Sequence, residues 1–308
     1  MHKVALCIAS AAFFATARRL KWRRCRPCGH RRQGVVGAAG SPTVEVLYND
    51  GRLVAVNKPS GLVVHCSELV REDVTLIGIL KEALGPSIAP VNRLDRGTSG
   101  IMLLSMDPEM TQLAKAALEK DEASKVYLAM VRGLVPEQGV VDSPMTRVTK
   151  RSRRRTKRKS VKRPLEDAEE VPALTRYKRL ATIERPDSPL YETRYSLVEL
   201  EIEYGRMHQI RRHMGRISHP VIGDSQHGRS EHNRYVRQVC GLDRLALHAW
   251  SMTFSHPVTH QTLHLQASLP PELCQAWTQL RLMGCESHND RGRRRSEGSF
   301  GETRPFRT

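Results

Sequence analysis

Apolar residues recur along this chain with two spacings, every second residue and every third or fourth, and segments of the two kinds alternate between about residues 44 and 283. Val44-Glu45-Val46-Leu47-Tyr48 alternates like a strand, Asn49-Asp50-Gly51 supplies a turn, and Leu53 to Val56 reads as the next strand. Lys58-Pro59-Ser60-Gly61 breaks that run, and Leu62-Val63-Val64 resumes it in extended form. Over Thr75 to Leu84, residues Leu76, Ile79, Leu80 and Leu84 share one side of a short helix. Ile101 to Leu104 is a short apolar strand, and Asp107-Pro108 then opens a helix with a capping carboxylate and a proline in the first turn. Met110, Leu113, Ala114, Ala117 and Leu118 keep helical spacing and predict one packed face. Val126 to Val131 and Ala173 to Ile183 read as strands. Val198, Leu200, Ile202 and Tyr204 alternate with Glu199, Glu201 and Glu203, the pattern of a half-buried strand with one wet face. A helix follows from about His208 to Ile217, and Leu245 to Phe254 and Gln261 to Leu265 are the last strands. Pro270 starts a helix that points Leu273, Trp277, Leu280 and Met283 inward. Strands joined partly by turns and partly by helices predict an α+β fold, a mixed sheet with peripheral helices.

Segments without these periods divide the chain. Residues 1–43 form a basic extension, 44–285 one folded domain, and residues 286–308 a disordered tail. Inside the domain, Thr146 to Val171 is basic, then acidic, and reads as a mobile insertion, its core at 147–170. The formal charge of +18 is concentrated: residues 147–163 hold eleven Lys or Arg and no acid, and residues 1–44 also lack any acid. Residues 44–146, by contrast, hold ten basic residues against fourteen acidic ones. Clustered Lys and Arg gain by neutralising phosphates, so nucleic acid is the first partner to consider.

Seven cysteines, an odd number scattered at 7, 25, 28, 66, 240, 274 and 285, exclude a disulfide framework and point to a reducing compartment. Cys25-Arg26-Pro27-Cys28 has half the ligands of a structural zinc site and lacks a second pair. Val4 to Ala17 is too short to span a bilayer in the ordinary way, and the Arg-rich stretch after it suits a presequence, a tail or a start assigned too early. The compartment expected is the cytoplasm of a bacterium, with a mitochondrion or plastid as the alternative that the basic extension leaves open.

Four polar segments exceed what core packing requires: Asn57 to Gly61, Arg93 to Gly100, Lys125-Val126-Tyr127, and Arg206 to His213. In the second, Asp95 stands between Leu94 and Arg96, with Arg93 beyond, ahead of a small-residue turn. A carboxylate set between two guanidinium groups suits a nucleophile or an electrostatic anchor. His208 with His213, and His260 with His264, lack metal-ligand context and read as structural.

These segments, in order, resemble the large pseudouridine synthase family that includes ribosomal and transfer-RNA enzymes with an HRLDxxTSG-type motif. Asn57-Lys58-Pro59-Ser60-Gly61, Arg93 to Gly100, Lys125 to Ala129 with Val131-Arg132-Gly133, and Gly205-Arg206 with His208 to Arg211 carry the likeness. His219 to Asp224 and Leu247-His248-Ala249 add two later segments. Thr193 to Leu200 and Gly223 to Gly228 resemble the branch that modifies uridine in the acceptor-stem region of tRNA. Asn92 departs from the family's histidine, exchanging a group that can become a cation for a neutral amide. The resemblance implies a mostly antiparallel sheet with a central cleft and isomerisation of an RNA uridine to pseudouridine. It implies Asp95 as catalytic carboxylate, Arg211 as its partner, and Tyr127 stacking on uracil or removing its carbon-5 proton. It also implies Arg93, Arg96, Lys58, Arg206, His208 and Gln209 as RNA-binding groups. The isomerisation neither oxidises nor reduces uracil, so no cofactor or metal is expected, and RNA is the partner of a monomer. A ribosomal RNA substrate and a non-catalytic RNA-binding role are the alternatives.

Overall fold

The computed structural model describes residues 35–36, 42–65, 74–148, 168–185, 188–190 and 193–282. The Cys25–Cys28 pair, the terminal extensions apart from residues 35–36 and 42–43, and Met283 lie outside these residues.

Thirteen strands form among the described residues, eleven of them in one sheet. In chain order they are β1 (Val35–Val36), β2 (Val44–Asn49), β3 (Leu53–Lys58), β4 (Ala89–Pro90), β5 (Ser99–Ser105), β6 (Ser124–Arg132) and β7 (Gln138–Asp142). There follow β8 (Met145–Val148), β9 (Ala168–Val171), β10 (Leu174–Glu184), β11 (Arg194–Ile202), β12 (Leu247–Ser255) and β13 (Thr262–Gln266). The helices are α1 (Leu76–Leu84), α2 (Pro108–Leu118), α3 (Gln209–Arg216), α4 (Ser230–Cys240) and α5 (Pro271–Gln279).

The sheet runs β1-β2-β3-β5-β12-β6-β11-β10-β7, with β4 on β5 and β13 on β12. Every pairing is antiparallel except β5 with β12, which is confined to Ser99 opposite His248 and Gly100 opposite Ala249. Two antiparallel halves are thus joined by a two-residue parallel seam. At the seam the backbones come too close for a side chain. A Cβ on Gly100, whose φ is +111, would lie 2.1 Å from the Ala249 carbonyl oxygen. Only glycine tolerates both the angle and the approach.

Strands β3 and β5 are buried on both faces, which explains their unbroken apolar runs. Val54, Val56, Met102 and Leu104 face one core, whereas Leu53, Ala55, Ile101 and Leu103 face the other, as the two-residue period requires. Helix α1 covers the first side through Leu76, Ile79 and Leu80, and α2 covers the second through Met110, Ala114, Ala117 and Leu118. Asp107 caps α2, its side chain accepting from the Met110 N–H at 2.7 Å.

Several sequence expectations are corrected. Leu113 lies on the exposed side of α2, because Thr111, held by Ser105 and the Asp107 carbonyl, takes the inward position beside Met110. Tyr204 falls beyond the end of β11 and is exposed. Leu62 to Val64 are buried without forming a strand. Helix α4 has no forerunner in the apolar periodicity: its polar sequence buries only His232, Tyr235, Val236 and Cys240, one face marked partly by a histidine. The ends of the insertion pair as a two-stranded sheet, β8 with β9, bringing Arg147 opposite Glu169 and Thr146 opposite Glu170. The basic-then-acidic order suits that antiparallel register.

Candidate active site

Asp95 ends a loop that the first polar motif clasps. Lys58 is fully buried, and its ammonium donates to the carbonyls of Pro59, Leu62 and Arg96 at 2.8, 2.9 and 3.1 Å. Ser60 donates its hydroxyl to the Gly97 carbonyl, the Gly61 N–H donates to the Arg96 carbonyl, and Arg96 Nε donates back to the Gly61 carbonyl. The expectation that Lys58 faces the RNA groove is therefore corrected, since its charge is directed inside to the backbone beside Asp95. Burial and the nearby Arg244 push its pKa down to about 7. Arg96 is exposed and braces the same turn. Asn92, at the departure from the family motif, accepts from the Leu103 N–H at 2.7 Å and ties the loop to β5. That task needs an acceptor rather than a cation.

The other wall of the cleft is α3. Arg211 lies in its first turn and spreads its guanidinium between two carboxylates. Its Nη1 donates to Asp95 Oδ2 at 2.9 Å, while Nε and Nη2 donate as a two-pronged pair to Asp224 at 2.7 and 2.8 Å. Asp224 also accepts from the N–H groups of Gln226 and His227. Burial opposes the charge on Arg211, but its bonds to Asp224 and Asp95 outweigh it and raise its pKa. Burial likewise opposes the charge on Asp224, and Arg211 with the two backbone donors holds its carboxyl below the usual range. Planar guanidinium and bidentate carboxylate fix each other in orientation, so Asp224 aims Arg211 at Asp95. In the sequence, Asp224 stands in a segment that reads as structural. A buried aspartate requires a cation, but the burial of Asp224 is set by the fold and leaves no signal in the sequence.

Tyr127, on β6 between Leu200 of β11 and Ala249 of β12, lines the same cleft. Burial, with Asp95 nearby, pushes its phenol well above the ordinary tyrosine range. Asp95, Tyr127 and Arg211, separated by up to 116 residues, therefore meet in one open cleft of about 400 Å³. Arg93, Arg206 and His208 line it as well. Gln209 borders the cleft but is corrected as an RNA-binding group, because its amide donates to the Leu174 carbonyl and the Thr175 hydroxyl while its oxygen caps the Arg206 N–H. His208, at φ 55, places Nε2 3.7 Å from Asp95 and Nδ1 3.2 Å from His227.

Beneath the cleft, Ser99 and His248 face each other across the parallel seam at 2.8 Å, and Arg244 donates to the Ser99 hydroxyl. Burial pushes the His248 pKa down to about 4, so its ring is neutral at pH 7.

Comparison with known proteins agrees with this geometry. The sequence profile described as RNA pseudouridylate synthase matches residues 52–216. The chain is 38% identical over 251 residues to tRNA pseudouridine synthase C of Salmonella typhimurium, covering 80% of this chain and 94% of that one. It is 41% identical over 227 residues to the Yersinia pestis protein of the same name, covering 73% and 86%. Its fold resembles the solved structure of human RNA pseudouridylate synthase domain containing 4, with a TM-score of 0.56, 24% identity, and coverage of 77% of this chain and 92% of that one.

Proposed function

The chain belongs to the RNA pseudouridylate synthase family and is an RNA uridine isomerase, and from that premise we propose that its substrate is a tRNA uridine near the acceptor stem, with Asp95 as the catalytic carboxylate. Similarity to tRNA pseudouridine synthase C over nearly the whole length of that protein supports the tRNA assignment. The Asp95–Arg211–Asp224 chain carries the assignment of the catalytic group.

The reaction breaks the bond between uracil N1 and ribose C1′, turns the freed base, and joins C5 to C1′. C5 loses a proton and N1 gains one, so the atoms balance within the nucleotide. Arg211 fixes one oxygen of Asp95 and leaves the other facing the cleft beside His208. That free oxygen is the group presented to the sugar. Tyr127 supplies a ring against which uracil packs, and its raised phenol pKa favours this over removal of the carbon-5 proton. The uridine must leave its stack to reach Asp95, at a cost of roughly a few kcal/mol. Arg93 and Arg206 line the cleft, and in this reading they hold phosphates of the RNA.

The test is pseudouridine mapping of total RNA from cells with and without the protein, with rescue by the unmutated chain or by Asp95→Asn. One tRNA site should vanish and return only with the unmutated chain. A lost ribosomal site would replace the tRNA assignment, and rescue by Asp95→Asn would remove Asp95 from the chemistry.

A further inference from the structure

The segment from Asp224 to His227, beyond α3, returns to the start of that helix twice. Asp224 holds Arg211, and three residues later the His227 ring meets His208, with Nε2 of His227 3.2 Å from Nδ1 of His208 and the ring planes crossing at 76°. The segment is fixed in place. The His227 N–H donates to the Asp224 carboxylate at 3.0 Å, and the Asn233 amide donates to the Asp224 carbonyl at 3.0 Å. On its other side, the His208 ring places Nε2 3.7 Å from Asp95 Oδ1, the oxygen that Arg211 leaves free. His208 therefore stands between His227 and the reacting carboxylate, engaged at both ring nitrogens. The charged and titratable groups around it are Asp95, Arg211, His227 and Asp224, and the cleft brings Arg93, Arg206 and Tyr127 to the same space. Burial, with Arg211 and His227 nearby, lowers the His208 pKa against the pull of Asp95 and Asp224, so the ring is neutral at pH 7.

A neutral imidazole carries one N–H, and the hydrogen bond made by one nitrogen decides what the other presents. If His208 Nδ1 donated to His227, the bare lone pair of Nε2 would face a carboxylate oxygen and repel it. If Nδ1 accepts from His227 Nε2–H, His208 turns an N–H toward that oxygen and attracts it. We propose that His227 is a positioning residue: it donates to His208 Nδ1, fixes His208 as the Nε2–H tautomer, and so directs an N–H at the free oxygen of Asp95. A separation of 3.7 Å is longer than a hydrogen bond. The oxygen thus stays available to the sugar, while the donor beside it keeps the carboxylate from swinging away. His208 lines the cleft and His227 does not, so His227 acts through His208 and not on the RNA. The inference rests on Asp95 as the catalytic carboxylate, the reading of the preceding subsection, and adds to it the group that sets the field around that carboxylate.

The experiment has two arms. Nitrogen NMR of the full chain with labelled histidine, at pH 7 and without RNA, reads the tautomer directly, the His208 signals being those lost in His208→Gln. The expected spectrum has the proton on Nε2 and a bare, hydrogen-bonded Nδ1. A proton on Nδ1 with a bare Nε2 would overturn the proposal. The second arm compares His227→Gln with His227→Glu in single-turnover pseudouridine formation at saturating RNA, on the tRNA identified by mapping. The Gln amide can still donate to Nδ1 and should keep the rate within about threefold, whereas Glu can only accept, draws the proton onto Nδ1, and should slow the step by about tenfold, the worth of one hydrogen bond. The two side chains have the same length, so a packing role would treat them alike. Equal rates in the two variants, whether normal or reduced, would overturn the proposal. Failure of the unmutated chain to modify the tRNA would overturn the tRNA assignment alone, since the spectrum needs no RNA and decides the tautomer by itself.

Discussion

At the scale of single residues, the cleft is organised by one arginine shared between two aspartates. Asp95 is partly exposed and Asp224 is not, so the same ion-pairing chemistry serves two ends: one carboxylate is left facing the cleft and the other holds the arginine. Asp224→Asn keeps the shape but turns one acceptor into a donor that faces the guanidinium. We expect stability to fall by about 3 kcal/mol, because Arg211 is left with an incomplete buried partner. We also expect kcat to fall by roughly ten- to a hundredfold, the worth of a misaimed charged hydrogen bond. Urea unfolding and single-turnover assays at saturating RNA check both. An unchanged kcat would show that Arg211 finds Asp95 unaided. Asp95, Tyr127 and Arg211 were singled out in the sequence through the resemblance, and the fold brings all three to one cleft. Lys58 and Gln209 are misread from sequence because polarity in a motif does not reveal which way a side chain faces, and both direct their donors to backbone.

At the scale of elements, the insertion is closed by a two-stranded stem of its own. The residues leading into its stem, β8 with β9, are tied to α3: His213 bonds the Ser143 carbonyl, and Arg216 donates to the Ser143 hydroxyl and the Pro144 carbonyl. The eleven basic residues of 147–163 thus begin from a strand anchored to the element that carries Arg211. Replacing those eleven with Ser or Gln should weaken RNA binding and lower the slope of log K against log salt by about one for each phosphate no longer neutralised. Fluorescence titration across a salt series measures this. An unaltered slope would make the run a bystander. Helix α4 was hidden by its polar sequence, and the β8–β9 stem by its shortness, since the apolar residues Met145, Val148, Ala168 and Val171 stand at the ends of four-residue strands and show no alternation.

At the scale of the whole molecule, two antiparallel halves depend on a seam two residues long, and the seam places the Asp95 loop beside Tyr127. His248 lies in that seam and its folded pKa, about 4, is below the free value of 6.5. A depressed histidine pKa means that the folded state favours the neutral ring. The stability this gives is present above pH 6.5 and is lost as pH falls through 4. The loss amounts to roughly 3 kcal/mol for this group, and His213 and His232, also depressed by burial, act in the same direction. Urea unfolding at pH 7, 5.5 and 4.5 should show a steeper decline for the unmutated chain than for His248→Gln. Parallel declines would place the acid sensitivity elsewhere.

Local order determined what the sequence could announce by itself. The unbroken apolar runs of β3 and β5, the period-two run of β11, the capping of α2 by Asp107, and the ordered motifs around Asp95, Tyr127 and Arg211 all depend on residues near one another in the chain. Tertiary structure alone decided the rest. The parallel seam pairs Ser99 with His248, the guanidinium of Arg211 spans from Asp95 to Asp224, and the Lys58 ammonium turns inward. Each of these depends on which distant backbone or charge arrives within about 3 Å, a fact set by packing the two halves of the sheet and not by any spacing along the chain.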